Sequence, residues 1–306
     1  MIPDTIGARM SGQLVALSDQ MGRGLLNSAW PVANVQAVMA MDRGERYMIS
    51  RRIAYVPITG LLTPNSELLE RYLGWTTYRG LEETMSDLVA HEDVAAIVLI
   101  IDSPGGLVLG LDGAVQAIAG AASAKPVHAV AHPLAASAAY ALASQATELS
   151  VTPGSMVGSI GCAVLTESFV QPGQSWGVQM FELVSSHAMA KRPDASTEEG
   201  RAEWKRSLDE SEARFHAVVA AGRGIPLSDL PDRLSVNGDP AWGGAMHEPE
   251  DAVARGLADQ IETRAAFDAR IIDLYGSGTT GTTSPRRRRA QAVVAQARAA
   301  QARASF

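Results

Sequence analysis

One cysteine, Cys162, is all that the chain carries in 306 residues. No internal disulfide can form, and no Cys/His cluster has metal-ligand spacing, so neither an oxidising compartment nor a structural zinc is indicated. A cytoplasmic setting with no metal and no cofactor is the expectation. Long apolar runs are missing too. The opening MIPDTIGARMSGQLVALSDQMGRG interrupts each apolar run with a charged or polar group before it reaches signal-peptide length, and no later stretch approaches a membrane span. Positive charge is in deficit, with 26 Lys and Arg against 33 Asp and Glu and a net charge of −7. Yet every charged residue after Asp273 is an arginine: Arg286 to Arg289, Arg298 and Arg303. An acidic body is a poor electrostatic partner for nucleic acid, and the basic tail would hold RNA, DNA or an acidic protein only weakly. No internal repeat is visible.

What is there suffices for one well-buried domain, since 46% of the residues are hydrophobic. Residues 1–50 have no clear period and read as an N-terminal arm with at most one helix. IAYVPITG reads as a strand ended by Gly60, and SELLERYLGWTTYRGLEETMSDLVAHED has helical spacing. VAAIVLIIDSPGG is a continuous branched apolar run stopped by a Gly-rich turn, the pattern of a strand buried on both faces. A helix over LVLGLDGAVQAIAGAASA, a short strand KPVHAVAHP and an Ala-rich helix LAASAAYALASQATE follow. LSVTPGSMVGSIGCAV gives two short strands and VQMFELVSS another. Thr197 starts a long amphipathic helix, and EPEDAVARGLADQIETRAAFDARIIDLYG reads as one or two helices broken at Gly256. This alternation is that of an α/β fold with a mainly parallel sheet flanked by helices. The organised domain spans 51–275, and 276–306 reads as a flexible basic Ala/Arg-rich tail.

Chemistry in such folds sits at the carboxyl ends of strands. Both DSPGG and the segment AHPLAASAAYALASQA (131–146), with Ser137 at its centre, fall at such ends. Attack by a serine at neutral pH needs a base for its proton and donors for the oxyanion. Gly105 and Gly106 let the backbone approach a substrate and aim N–H groups at it, although a Gly-Gly turn is also ordinary loop chemistry. The N–H of Ala138, at the positive end of the following helix, is a second donor. The base is less plain. His128 and His132 lie on or near the preceding strand, while His187, His216 and His247 are scattered, and none completes an obvious triad. A lysine serves only when burial keeps it unprotonated. Lys191, in SSHAMAKRPD, has small and apolar neighbours, but beside Arg and Pro it also reads as a solvated loop residue.

Four stretches in order, IAYVPITGLL, AAIVLIIDSPGG, AASAAYALASQATELSVTPGSMVGSIGC and AVARGLAD, resemble the signal peptide peptidase A family of serine peptidases, in its bacteriophage head-maturation branch. The resemblance covers about residues 50 to 265. It implies a Clp protease/crotonase-type α/β spiral and a serine–lysine dyad, with residues 51–275 as the peptidase domain. On it, Ser137 matches the nucleophile and Lys191 the general base, with His187 the second candidate for that role. Ser159 of GSIG matches a serine that helps orient the lysine, and Gly106, with Gly105 and Ala138, matches the oxyanion hole. One departure stands out: the family usually has a glycine within two residues of its serine, and this chain has Ala138 and Ala139.

The resemblance implies an endopeptidase with polypeptide substrates (capsid, scaffold or portal proteins during procapsid assembly), assembled as a homo-oligomer. Cellular members usually carry a membrane anchor, for which this chain shows no segment. The rival readings are a cellular signal-peptide-peptidase-like protease, a crotonase-type acyl-CoA enzyme, for which a catalytic Glu pair is missing, and a capsid scaffold without activity.

Overall fold

A computed structural model describes residues 5–6, 14–17, 45–164, 174–175, 178–179, 185–186, 188–191 and 193–276. The strands in chain order are β1 (Leu14–Leu17), β2 (Met48–Ser50), β3 (Ile53–Thr59), β4 (Ala96–Ser103), β5 (Gly105–Leu107), β6 (Val127–Ala136), β7 (Glu148–Val151), β8 (Met156–Gly158), β9 (Ala163–Val164), β10 (Gln174–Ser175), β11 (Val178–Gln179), β12 (Met246–His247) and β13 (Gln260–Ile261). The helices are α1 (Glu67–Leu73), α2 (Tyr78–Ala90), α3 (Leu111–Ala124), α4 (Ala138–Ala143), α5 (Glu198–Arg223), α6 (Leu230–Leu234), α7 (Pro249–Ala254) and α8 (Arg264–Tyr275).

The main sheet has the order β12-β8-β6-β4-β3-β2, with β7 beside β6 and β13 beside β7. Pairing is parallel from β3 through β4 and β6 to β7, β8 and β13, and antiparallel only at the two ends, β2 on β3 and β12 on β8. The expected α/β architecture with a mainly parallel sheet flanked by helices is therefore what the chain forms. Period-two alternation explains why both faces are covered. Ile97, Leu99 and Ile101 of β4 pack with α2, α3 and α4, whereas Ala96 and Val98 face Phe267, Ile271 and Leu274 of α8.

One strand departs from the reading of the sequence in a way that matters. β6 does not stop at His132 but continues to Ala136, and α4 is correspondingly short, starting at Ala138. Ile101 of β4 pairs with Ala131, and Ser103 with Ala135, so β6 carries two more residues than β4 in this interval. Such a bulge bends a strand. The first half of β6 lies beside β7 and the second half beside β8. The fork between β7 and β8 delivers Ser137 to the end of the sheet.

The long helix α5 begins where expected, with the Thr197 side chain accepting from the Gly200 N–H. Of its apolar side, Phe215 and Val219 are buried in the core, while Trp204 and Leu208 stay half-buried. The strand expected over VQMFELVSS is seen only at Val178–Gln179; its remaining residues to 184, like most of the 1–50 arm and all of 277–306, lie outside the described residues. Among the described residues no helix is long and apolar enough to cross a membrane, and no group of His, Cys, Asp and Glu could hold a metal ion.

Candidate active site

Ser137 joins β6 to α4 with φ 54° and ψ −122°. A non-glycine residue in this region costs about 1–3 kcal/mol and persists only where its surroundings enforce it. The enforcement is visible: the Ser137 N–H donates to the Gly158 carbonyl at 2.7 Å, and its carbonyl accepts from the Ala141 N–H at 3.0 Å. Ser137 is 1% exposed, and its Oγ has no hydrogen-bond partner among the described residues. A buried hydroxyl without a partner is unfavourable, so strain and an unmet hydrogen bond coincide at one serine.

The residues behind it are fixed by close backbone approach. Gly158 has φ +126°, and a Cβ there would stand 2.4 Å from the Ala245 carbonyl oxygen. The next residue, Ser159, also has positive φ, at 52°, and its N–H donates to the same Ala245 carbonyl at 2.8 Å. His247, the following position but one on β12, closes this wall. Its ring lies against Gly158, its Nδ1 is 2.7 Å from Asp251 Oδ2, and its Nε2 is buried without a partner among the described residues. Burial works against ionisation of Asp251, but hydrogen bonds from His247 and Arg255 hold its carboxyl below the ordinary value.

The Gly-rich turn is ordered by Ser103, whose role was not read from the sequence. Its buried Oγ donates to the Gly60 carbonyl at 2.7 Å and accepts from the Gly105 N–H at 3.1 Å. The Gly105 amide is therefore engaged within the turn. On β5, the Leu62 N–H donates to Gly105 and the Leu107 N–H donates to Leu62. Alternation along the strand then turns the N–H and C=O of Gly106 to the opposite edge. Only glycine fits at that point, because a Cβ on Gly106 would lie 2.0 Å from the Leu62 carbonyl oxygen.

Lys191 is placed differently. It ends the short 3-10 turn Met189–Lys191 and is exposed, and since Ser137 Oγ has no partner the two are not hydrogen-bonded. His187 lies outside the described residues. His128 stands at the far end of β6, with Nδ1 3.1 Å from Glu148 and Nε2 3.1 Å from Tyr275. His132 is exposed and pairs with Thr152 at 3.1 Å.

Beyond β8 the surface opens into a cleft of about 340 Å³ lined by Val15, Ser159, Cys162, Glu212, His216 and Gly244, among others. A second hollow of about 400 Å³ shares Cys162 and Glu212 and continues along Val164, Trp204 and Leu208. Burial lowers the His216 pKa, opposed by Glu212, and so favours a neutral imidazole. Burial also pushes the Cys162 thiol up to about 11, which leaves it protonated and a poor nucleophile near neutral pH.

The model of peptidase family S49 matches residues 119–273, a stretch that contains Ser137, Ser159, Lys191 and His247. This chain belongs to that family. Curated relatives of this S49 chain include capsid assembly protease C of Escherichia phage lambda, 28% identical over 290 residues (90% of this chain, 64% of that one). The head-tail preconnector protein GP5 of Enterobacteria phage P21 is 27% identical over 241 residues (78% and 46%). The chain thus spans less than two thirds of the length of either. Among solved structures, a membrane-bound stomatin-specific protease mutant covers 72% of the S49 chain at 14% identity with a TM-score of 0.42, over 84% of its own length. An enoyl-CoA hydratase from Shewanella pealeana covers 87% at 7% identity with a TM-score of 0.46, over 82% of its own length.

Proposed function

We propose that the chain is a serine endopeptidase that processes capsid, scaffold or portal proteins during phage head assembly. The observation that carries this reading is the strained, buried and unpartnered Ser137 at the carboxyl end of β6, in a chain of a peptidase family. The names of the two phage relatives support the assembly setting.

In the proposed cycle a neutral Lys191 amine takes the Ser137 proton as Oγ bonds to the substrate carbonyl carbon. The Gly106 and Ala138 N–H groups receive the oxyanion, with Gly105 shaping the turn through Ser103. The lysine then gives its proton to the departing amine as the C–N bond breaks, which leaves an acyl-enzyme. Water attacks that ester with the lysine again as base, and Ser137 leaves with its proton restored. Ser159 orients the lysine. Lys191 is exposed, so the reading requires its amine to come within hydrogen-bonding reach of Ser137 Oγ. A second copy of the chain, placed beside this one in a ring, would supply that amine in trans.

The test is co-expression with capsid and scaffold proteins, reading intact masses for wild type, Ser137→Ala and Lys191→Ala. Shortened products from wild type alone are expected. Cutting that survives Lys191→Ala but not Ser137→Ala would remove the lysine from the mechanism, and a folded wild type that cuts nothing would leave a scaffold.

A further inference from the structure

The edge of β5 to which Gly106 turns its N–H is not open. Strand β1 lies there, antiparallel to β5 with Val15 opposite Leu107, Ala16 opposite Gly106 and Leu17 opposite Gly105. On its other side β1 is antiparallel to β9, with Leu14 opposite Val164 and Val15 opposite Ala163. It is the middle strand of three, between the turn that follows β4 and the segment that follows Ser159. Val15 is half-buried and lines the 340 Å³ cleft together with Ser159 and His216.

Two flanking strands separated by one strand's width make a slot for a single extended chain, bonded through its backbone on both sides. The slot walls are short and mostly small: Gly105, Gly106 and Leu107 on one side, Ala163 and Val164 on the other. They read the occupant mainly through its main chain. Any peptide whose carbonyl is to reach the Gly106 N–H has to enter along the edge that β1 now holds.

We propose that residues 14–17 are an internal occupant: β1 fills the slot between β5 and β9, and a polypeptide substrate, entering as an extended strand antiparallel to Gly105–Leu107, displaces β1 before being cut. This deepens the protease reading and rests on it. Because it is tethered, the occupant competes at an effective concentration on the order of millimolar. A free substrate at micromolar concentration is at a disadvantage of about a thousandfold, whereas one concentrated beside the enzyme in an assembling particle is not.

Occupancy is read without turnover in the full chain carrying Ser137→Ala. A fluorescein-labelled peptide of residues 12–18, GQLVALS, is titrated and its anisotropy followed, with the arm intact and with Ala16→Pro, which removes the central N–H of β1 and cannot hold a middle-strand position. Binding about tenfold tighter in Ala16→Pro is expected, the effect of losing one or two ladder hydrogen bonds from the competitor. Val15→Lys, which puts a charge in a half-buried slot, should act in the same direction and serves if the proline variant fails to fold. Equal binding, or no binding, in variants whose circular dichroism matches the parent overturns the proposal.

With Ser137 restored, a fluorophosphonate probe then separates the two readings. Faster labelling of Ala16→Pro supports both. Tighter peptide binding with no labelling in any variant leaves the slot standing and removes the nucleophile. Equal labelling with unchanged peptide binding keeps the nucleophile and removes the occupant.

Discussion

At the amino end of β6, His128 has a partner on each ring nitrogen, Glu148 on one side and Tyr275 on the other, whereas at the carboxyl end of the same strand Ser137 Oγ has none among the described residues. The network at the amino end is extensive. Arg270 of α8 donates to Glu148, Glu262 and Ser150, and the Gln260 side chain bonds Glu148, Ser150 and Glu262. Together they clamp α8 and β13 over the sheet, above the apolar contact of Phe267 and Ile271 with Val98 and Val130. At the other end, positive φ at Ser137 and Ser159 and an unmet Nε2 on His247 are tolerated. Polar groups buried on one strand thus stabilise the fold where they are paired and stay available for chemistry where they are not.

The largest expected effect falls at the carboxyl end. Ser137→Ala should lower cleavage and probe labelling by about four orders of magnitude or more while the melting temperature stays within a few degrees of wild type. A comparable loss of stability would place Ser137 in the structural class instead. Phe267→Ala should do the reverse. Truncating this fully buried ring costs about 3–5 kcal/mol, read by urea unfolding, and fluorophosphonate labelling below the transition should stay near the wild-type rate.

Acid should find the amino end first. Glu148 is partly desolvated, which opposes ionisation, but His128 and Arg270 hold its carboxyl below its ordinary 4.5. A carboxylate whose pKa is lower folded than unfolded contributes stability above the unfolded value and loses it as pH falls through the folded one. Melting temperature should therefore drop below about pH 4.5, and less steeply in Glu148→Gln, which starts lower at pH 7. Parallel slopes would detach Glu148 from the acid response. The smallest effect returns to the proposed nucleophile: Ser137→Gly, which relieves the positive φ, should raise stability by about 1 kcal/mol while abolishing cleavage, a direct reading of the strain held there.

Much of this layout was legible. The branched run AAIVLIIDS could only be a strand covered on both faces, and its Gly-rich stop marked the site end. Ser137 stood out because four motifs around it kept the order of a known family, not because an Ala-rich helix with a serine is distinctive. Other features depend on distant partners and leave no local signal. The continuation of β6 through His132–Ala136 is imposed by β8, which supplies partners for Leu134 to Ala136. LVAL at 14–17 has no periodicity to read, and its partners lie about residues 105 and 163. His247 sits on a two-residue strand whose neighbour is some 90 positions earlier. For Lys191, residue types suggested desolvation, and the described chain leaves it exposed.

The place of β1 also carries a statement about time. Synthesis runs from the amino terminus, and early segments wait for later ones. Residues 14–17 are made before β5 exists and long before β9, so the strand that fills the slot is on hand when each wall first forms. On the proposed reading the occupant needs no later delivery: it is already part of the chain when the walls it fills are made.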